Sequence, residues 1–350
     1  MNKYILIIKK YLLILVCFLP LISCEDLILG PDPENTPTNN FNILWKEFDR
    51  YYPSFIVRNI KWDSLYTCYS SRINNDCTDK ELWQIIKSLL YNFNDGHVTI
   101  YNTNSIYYNS SHRNSNEYEF NLDVVQSIYL DRNFHSAGKG NFTYGRFPGD
   151  SIGYLHIAAF SGLSDWAKDI DNIISGLSDV NTLIIDIRNN RGGHVPNFSY
   201  IAASFTDKDI TFRKEIARNG PKHSDFTSPV TQTISPRKSS PNFTKQIILL
   251  TNRVTASASE MFALFFKQLP YSIQIGDSTS GSIGLIRGFQ LPNGWLYEMP
   301  DGLTLTMDDK SLEGIGVVPD IYVRNTEEEI FRGYDRVLET ALEYISGWKK

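Results

Sequence analysis

Four short stretches of this 350-residue chain carry side chains that could perform acyl transfer. The first is Val254-Thr255-Ala256-Ser257-Ala258-Ser259-Glu260-Met261-Phe262, between an apolar run and an apolar helix. A serine at a helix N-terminus has its hydroxyl near unpaired N–H groups and the positive end of the dipole, the surroundings a tetrahedral oxyanion needs. Ser257-x-x-Glu260 is equally a capping box, a far commoner use of the pattern. The second stretch is Asp186-Ile187-Arg188-Asn189-Asn190-Arg191-Gly192-Gly193, where an apolar strand runs into a charged turn and a glycine pair lets backbone N–H groups approach a ligand. No Gly-Lys-Ser/Thr follows, so a phosphate loop is a weak reading. The third is Asn94-Asp95-Gly96-His97; a lone turn histidine is commonly idle, and His156, His194 and His223 compete with it as a base. The fourth is Leu312-Glu313-Gly314-Ile315-Gly316-Val317-Val318-Pro319-Asp320, turn chemistry ahead of a strand in which Glu313 is either a surface carboxylate or a site residue.

Each stretch alone is weak, but their order is specific. A Gly-His after a helical segment, a strand ending in Asp-Ile-Arg-Asn-Asn-x-Gly-Gly, then Ser-Ala-Ser-Glu, then Glu-Gly-x-Gly-Val-x-Pro-Asp resembles the tail-specific/tricorn-like serine peptidase family over residues 41–323. The resemblance implies a crotonase-like fold, Ser257 as nucleophile, and oxyanion donors at the N–H of Ala258 and of Gly192 or Gly193. The tail-specific branch takes a lysine base about 25 positions after the serine, where this chain has Ser282. The tricorn-like branch takes a histidine and a glutamate, matched by His97 and Glu313. A serine hydroxyl needs a positioned base, a histidine can accept and return its proton near neutral pH, and a third group must orient the ring. Gly96 replaces the relay serine of that branch, so Glu313 is expected to reach His97 directly, through water, or through Thr99 or Ser259. The chemistry requires no metal and no cofactor.

Elements positioning these residues follow from periodicity. Residues 41–97 read as a small helical domain: Phe41, Leu44, Trp45, Phe48, Tyr51 and Tyr52 recur at helical spacing, and the capping box Thr78-Asp79-Lys80-Glu81 precedes Leu82, Trp83, Ile85, Ile86, Leu89 and Leu90. Residues 98–150 are Asn/Ser/Tyr-rich and read as an irregular connector with short strands at Val98–Tyr101 and Phe120–Tyr129. Residues 151–325 alternate strands (Gly153–Ile157, Thr182–Ile187, Gln246–Leu250, Ser272–Ile275) with helices (Trp166–Leu177, Asn197–Phe205, Ser257–Leu269), predicting an α/β core with a mostly parallel sheet. A last helix is expected over Glu327–Ile345, within the segment 326–350.

The beginning of the chain reads as a signal. Lys3, Lys9 and Lys10 precede the apolar run Tyr11–Ile22, and Leu21-Ile22-Ser23-Cys24 resembles a bacterial lipoprotein signal, implying removal of residues 1–23 and diacylation of Cys24. An ordinary secretion signal is the alternative. Residues 24–40, rich in Pro, Asn and acids, read as a flexible tether. The expected location is therefore the bacterial cell envelope, on the outer membrane, facing the periplasm or the surface. Losing the three signal lysines takes the net charge from −5 to −8 and argues against a nucleic-acid partner. Cys68 and Cys77 either pair or stay as thiols, and no Cys/His spacing suggests zinc. The expected partners are a peptide or unfolded-protein substrate and a membrane reached through the anchor. A ligand-binding module on the same fold and a structural lipoprotein remain as other readings, and the 20 Tyr and 20 Phe suit a groove or a core alike.

Overall fold

The computed structural model describes residues 32–112, 117–130, 132–149, 151–162, 165–238 and 240–347. The signal and Cys24 lie outside the described residues. Helix α1 (Pro37–Tyr51) starts inside the stretch expected to be tether: the Thr36 hydroxyl accepts the Asn39 N–H at 3.2 Å, and Pro37 fills a first-turn position where no N–H is needed. Helices α2 (Trp62–Ser70) and α3 (Asp79–Leu90) follow, the latter opened by the reciprocal Thr78–Glu81 capping box. Phe41, Leu44 and Phe48 of α1 pack with Trp62, Ile86, Leu89 and Phe93 in an aromatic-rich core. Strands β1 (Thr99–Tyr101) and β2 (Tyr107–Asn109) close the segment. Cys68 and Cys77 are free thiols.

Residues 117–129 form short helical turns instead of the strand expected over Phe120–Tyr129, because the Asn121 side chain caps the Asp123 N–H at 2.8 Å. Strands β3 (Phe134–Ala137) and β4 (Phe142–Arg146) pair antiparallel and join the core sheet, so part of the expected connector is sheet edge. The core continues as β5 (Ile152–Ile157), α4 (Ile170–Gly176), β6 (Thr182–Asp186), α5 (Val195–Ala202), β7 (Ile210–Ala217), β8 (Val230–Ile234), β9 (Gln246–Thr251), α6 (Ala258–Phe266) and β10 (Ser272–Gly276). Then come β11 (Ile286–Gln290), β12 (Leu296–Pro300), β13 (Gly302–Leu305), β14 (Ile321–Tyr322), α7 (Glu327–Phe331) and α8 (Arg336–Gly347). The expected single last helix is two helices, with Gly333 at φ +81° between them.

The seven-stranded sheet runs β14-β10-β9-β6-β5-β4-β3, parallel from β14 to β5 and antiparallel at β4 and β3, giving the α/β, mostly parallel core. Strand residues alternate between two apolar layers, as a sheet covered on both faces requires. Leu155, Leu183, Ile185, Ile247 and Leu249 share a cluster with α4, α5 and α6. Tyr154, Ile184, Ile248, Leu250 and Ile275 share one with α8. Helix α6 is buried along its whole length.

A second sheet, β11-β12-β1-β2, interleaves late and early strands, and Leu291, Trp295, Tyr297 and Met299 complete the core of the helical segment. Residues 286–300, expected as part of the peptidase core, thus fasten the N-terminal helices and carry His97 toward the large sheet. A third sheet is β13-β7-β8. Arg188, at the end of β6, is fully buried between Asp186 (2.6 Å) and Asp335 (2.8 Å) and ties the start of α8 to the central strand. Among the described residues no helix is long and apolar enough to cross a membrane.

Candidate active site

Strands β6, β9 and β10 are neighbours, and the loops leaving their carboxyl ends converge, which is where open α/β sheets place ligands. The β9–α6 loop ends at Ser257, half-buried at the helix entry. Its backbone lies at φ 57°, ψ −124°, a region L-residues rarely adopt, at a cost of roughly 1–3 kcal/mol. The surroundings hold it there: its N–H reaches the Ser282 carbonyl (2.9 Å) and the Glu260 carboxylate (3.1 Å). The Glu260 N–H goes to the Ser257 carbonyl (2.8 Å), and Ser257 and Glu260 keep the reciprocal pairing of the capping box. Glu260 is fully buried and also accepts from the Thr279 hydroxyl and the N–H groups of Gly281 and Ser282 (2.6, 2.6 and 2.9 Å). It acts as a clamp between the Ser257 turn and the loop after β10.

The glycine pair belongs to the same turn. A Cβ on Gly192, at φ +94°, would stand 2.7 Å from the Ala256 carbonyl oxygen, 2.8 Å from Ser257 Cβ and 2.9 Å from Ala258 N, so only glycine lets the two loops touch. Asn190 sets this approach: its Oδ1 accepts from the Gly192 N–H (2.9 Å) and the Ser259 hydroxyl (2.6 Å), and its carbonyl accepts the Ala256 N–H (3.0 Å). The Gly192 N–H is thereby committed. The N–H groups of Gly193 and Ala258 have no protein partner among the described residues. Of the expected oxyanion donors, the open pair is Gly193 and Ala258.

His97 precedes β1 and is 8 % exposed, with its N–H on Asp95 Oδ1 (2.9 Å). Burial pulls the imidazole below its ordinary value; Asp95 and Glu298 oppose this and Arg58 adds to it. His97 Nδ1 is buried without a hydrogen-bond partner, and among the described residues no hydrogen bond joins His97 to Ser257. Catalytic contacts of this type commonly tighten only when substrate binds. Glu313 is buried, and its carboxylate is held by Arg58 (2.9 Å) and by the N–H groups of Ile283 (3.2 Å) and Gly284 (2.9 Å). Burial and the charge of Asp95 push Glu313 up to about 7 against the pull of Arg58.

Among the described residues no direct hydrogen bond joins Glu313 to His97, and neither expected hydroxyl relay connects them. The Thr99 hydroxyl donates to Glu298 (2.9 Å), its register partner across β1 and β12, and the Ser259 hydroxyl is spent on Asn190. The rival histidines have other surroundings. His156 is buried in β5 and pulled down to about 4 by burial, while His223 pairs with Asp49 (2.8 Å) and stacks on Phe55. His194 is exposed at the start of α5.

A cavity of about 430 Å³ is walled by Gly96, His97, Ala256, Ser282 and the exposed Arg191 and Arg253. It brings the histidine wall against residues flanking and bonded to Ser257. Asn190, Asp95, Arg58 and Glu298 were missed in the sequence. Asn190 and Asp95 stood inside the recognised motifs, whereas Arg58 lies 255 positions from the carboxylate it holds and gave no local signal.

Residues 151–323 match peptidase family S41, and residues 33–91 match the tricorn protease C1 domain. Over the first of these segments the chain is similar to peptidase family S41. It is 25 % identical over 184 residues to the carboxy-terminal processing protease CtpB of Bacillus subtilis, a match covering 52 % of this chain and 36 % of that one. The chain thus spans about a third of the length of this curated relative. The crystal structure of a candidate peptidase from Parabacteroides merdae superposes with a TM-score of 0.81 at 27 % identity, covering 89 % of this chain and 97 % of that one. Mature CPAF complexed with lactacystin shares the fold, with a TM-score of 0.67 at 13 % identity over 89 % and 98 % of the two chains. The S41 serine peptidase similarity and the α/β architecture with its N-terminal helices agree with the expectation from the four motifs.

Proposed function

We propose that this chain hydrolyses peptide bonds through an acyl-enzyme on Ser257. The observation that carries the reading is the strained backbone of Ser257 beside the two open N–H groups of Gly193 and Ala258. In the proposed reaction Ser257 Oγ attacks the scissile carbonyl carbon while His97 accepts the hydroxyl proton. The carbonyl oxygen takes the negative charge and is met by the two N–H groups. Collapse of the tetrahedral intermediate breaks the C–N bond, and His97 returns the proton to the leaving amine. Water, deprotonated by the same histidine, then releases the acid and regenerates the serine. Glu313, held by Arg58 and two backbone N–H groups, is the acid proposed to support the base. Unfolded proteins or short peptides are the proposed substrates, and the name of the Bacillus subtilis relative makes C-terminal segments the first to try.

The base gives a pH signature. His97 must be neutral to accept a proton, and its folded value lies below the ordinary one of about 6.5. The acid limb of kcat/KM should therefore fall at a midpoint below 6.5, and His97→Ala should lower kcat by roughly 10³- to 10⁴-fold. Steady-state kinetics on a quenched fluorescent unstructured peptide checks both. An acid limb retained in His97→Ala would assign the base elsewhere.

We also propose that Cys24 is diacylated and anchors the domain at the cell envelope. The Leu21-Ile22-Ser23-Cys24 sequence after an apolar run supports this. Cys24→Ala should abolish acyl labelling and move the protein from the membrane to the soluble fraction. Labelling that persists in the variant contradicts the anchor.

A further inference from the structure

We propose that the Ser282 hydroxyl is the positioning group of the base, accepting from His97 Nδ1–H and donating onward to Glu313; this rests on the peptidase reading above. Three observations lead to it. The first is the orphaned ring nitrogen. If Nε2 accepts the Ser257 proton, Nδ1 carries a hydrogen that needs an acceptor, yet His97 Nδ1 is buried and unpartnered. Asp95, the nearest carboxylate along the chain, is already engaged by the His97 N–H, the Tyr52 hydroxyl (2.8 Å) and Arg58 (3.3 Å).

The second is the space at Gly96. A Cβ built there would stand 2.7 Å from Ser282 Oγ and 3.4 Å from Ser282 Cβ. Gly96 does not have the positive φ that would require glycine. Its bare Cα makes room for the Ser282 hydroxyl, which lies against the residue just before the base. A side chain at 96 and the Ser282 hydroxyl are alternative occupants of one place.

The third is how the main chain at Ser282 is held. Its carbonyl accepts the Ser257 N–H (2.9 Å), its N–H ends on Glu260 (2.9 Å), and the next two N–H groups both end on Glu313 Oε1. Ser282 is thus bonded directly to the nucleophile and adjoins the residues that fix the acid. Glu313 Oε2 accepts one hydrogen bond from Arg58 and keeps a lone pair. A bond from the Ser282 hydroxyl to that lone pair would add one hydrogen bond and change no net charge. The charged groups around His97 are Asp95 in its own turn, Arg58 and Glu298 from other elements, and Arg191 and Arg253 in the wall of the same cavity. None of them is removed by changing Ser282, so a change in the ring reports on the hydroxyl.

The test has one arm that does not depend on turnover. In ¹⁵N NMR of the ring nitrogens, wild-type His97 should carry its proton on a hydrogen-bonded Nδ1, and Ser282→Ala should shift that signal and mix the tautomers. Unchanged His97 signals in folded Ser282→Ala overturn the proposal whether or not the chain proves to be a peptidase. In kinetics, Ser282→Ala should lower kcat on the order of 10- to 100-fold with KM little changed, the lower part of what a positioned base contributes. Gly96→Ser alone should be impaired by the clash. The pair Gly96→Ser with Ser282→Gly returns a hydroxyl from the other side and should exceed Ser282→Gly alone by about 10-fold. A folded double variant no faster than Ser282→Gly contradicts the proposal. An active wild type with an unaffected Ser282→Ala removes the Ser282 role and leaves the peptidase reading standing, whereas a wild type that forms no adduct at Ser257 removes the latter.

Discussion

Ser257→Ala is expected to lower turnover by roughly 10⁴- to 10⁶-fold while changing stability by less than about 0.5 kcal/mol. The two halves come from the same geometry. A capping serine sits in extended backbone and accepts an N–H of the first helical turn, and its loss costs about 0.5–2 kcal/mol. Ser257 is at φ 57°, and its carbonyl takes the Glu260 N–H at 2.8 Å, a bond that survives removal of the hydroxyl. Ser257→Gly should even stabilise the fold by about 1 kcal/mol, since glycine adopts that backbone without strain. Chemical denaturation with peptide kinetics on the same preparations checks both variants. A loss of 1–2 kcal/mol with turnover intact would return Ser257 to the capping role that the sequence alone left open.

Arg188→Ala should be the most destabilising single change, by about 3–5 kcal/mol. The guanidinium is buried between Asp186 and Asp335, and the Tyr154 hydroxyl donates to the same Asp186 (2.9 Å). Removing the cation leaves two buried carboxylates facing each other beneath α8. The midpoint in a denaturant titration measures the effect. Asp335→Asn should cost less, because Arg188 keeps its bonds to Asp186. Equal losses would mean that the tether to α8, not charge burial, sets the energy.

What the sequence disclosed and what it hid have physical causes. Ser257 and the glycine pair were legible because a serine entering a helix and two glycines leaving a strand have few structural substitutes when two backbones must touch. The parallel strands were legible because both faces are buried, so Thr182–Asp186 and Gln246–Thr251 read as continuous apolar runs. Strands β3 and β4 were hidden. Strand β3 is the edge strand and β4 its neighbour, and the exposed His135 and half-buried Tyr144 blur the alternation. The interleaving of β12 with β1 was hidden too, since nothing local in Leu296–Pro300 tells that Tyr297 and Met299 close the core of helices some 200 positions earlier. For the same reason the surroundings of His97 gave no local signal: Glu298 pairs with Thr99 across two strands far apart in the chain, Ser282 lies against Gly96, and the Glu313 carboxylate is held by Arg58.

The central claim is that Ser257 is an activated nucleophile, and the most direct measurement is covalent labelling with a fluorophosphonate followed by peptide-mapping mass spectrometry. The account predicts one adduct, on Ser257, absent in Ser257→Ala, greatly slowed in His97→Ala and still formed in Ser259→Ala. An adduct on Ser259 or Ser282, or no adduct on folded wild-type protein under conditions that label a related S41 peptidase, contradicts it.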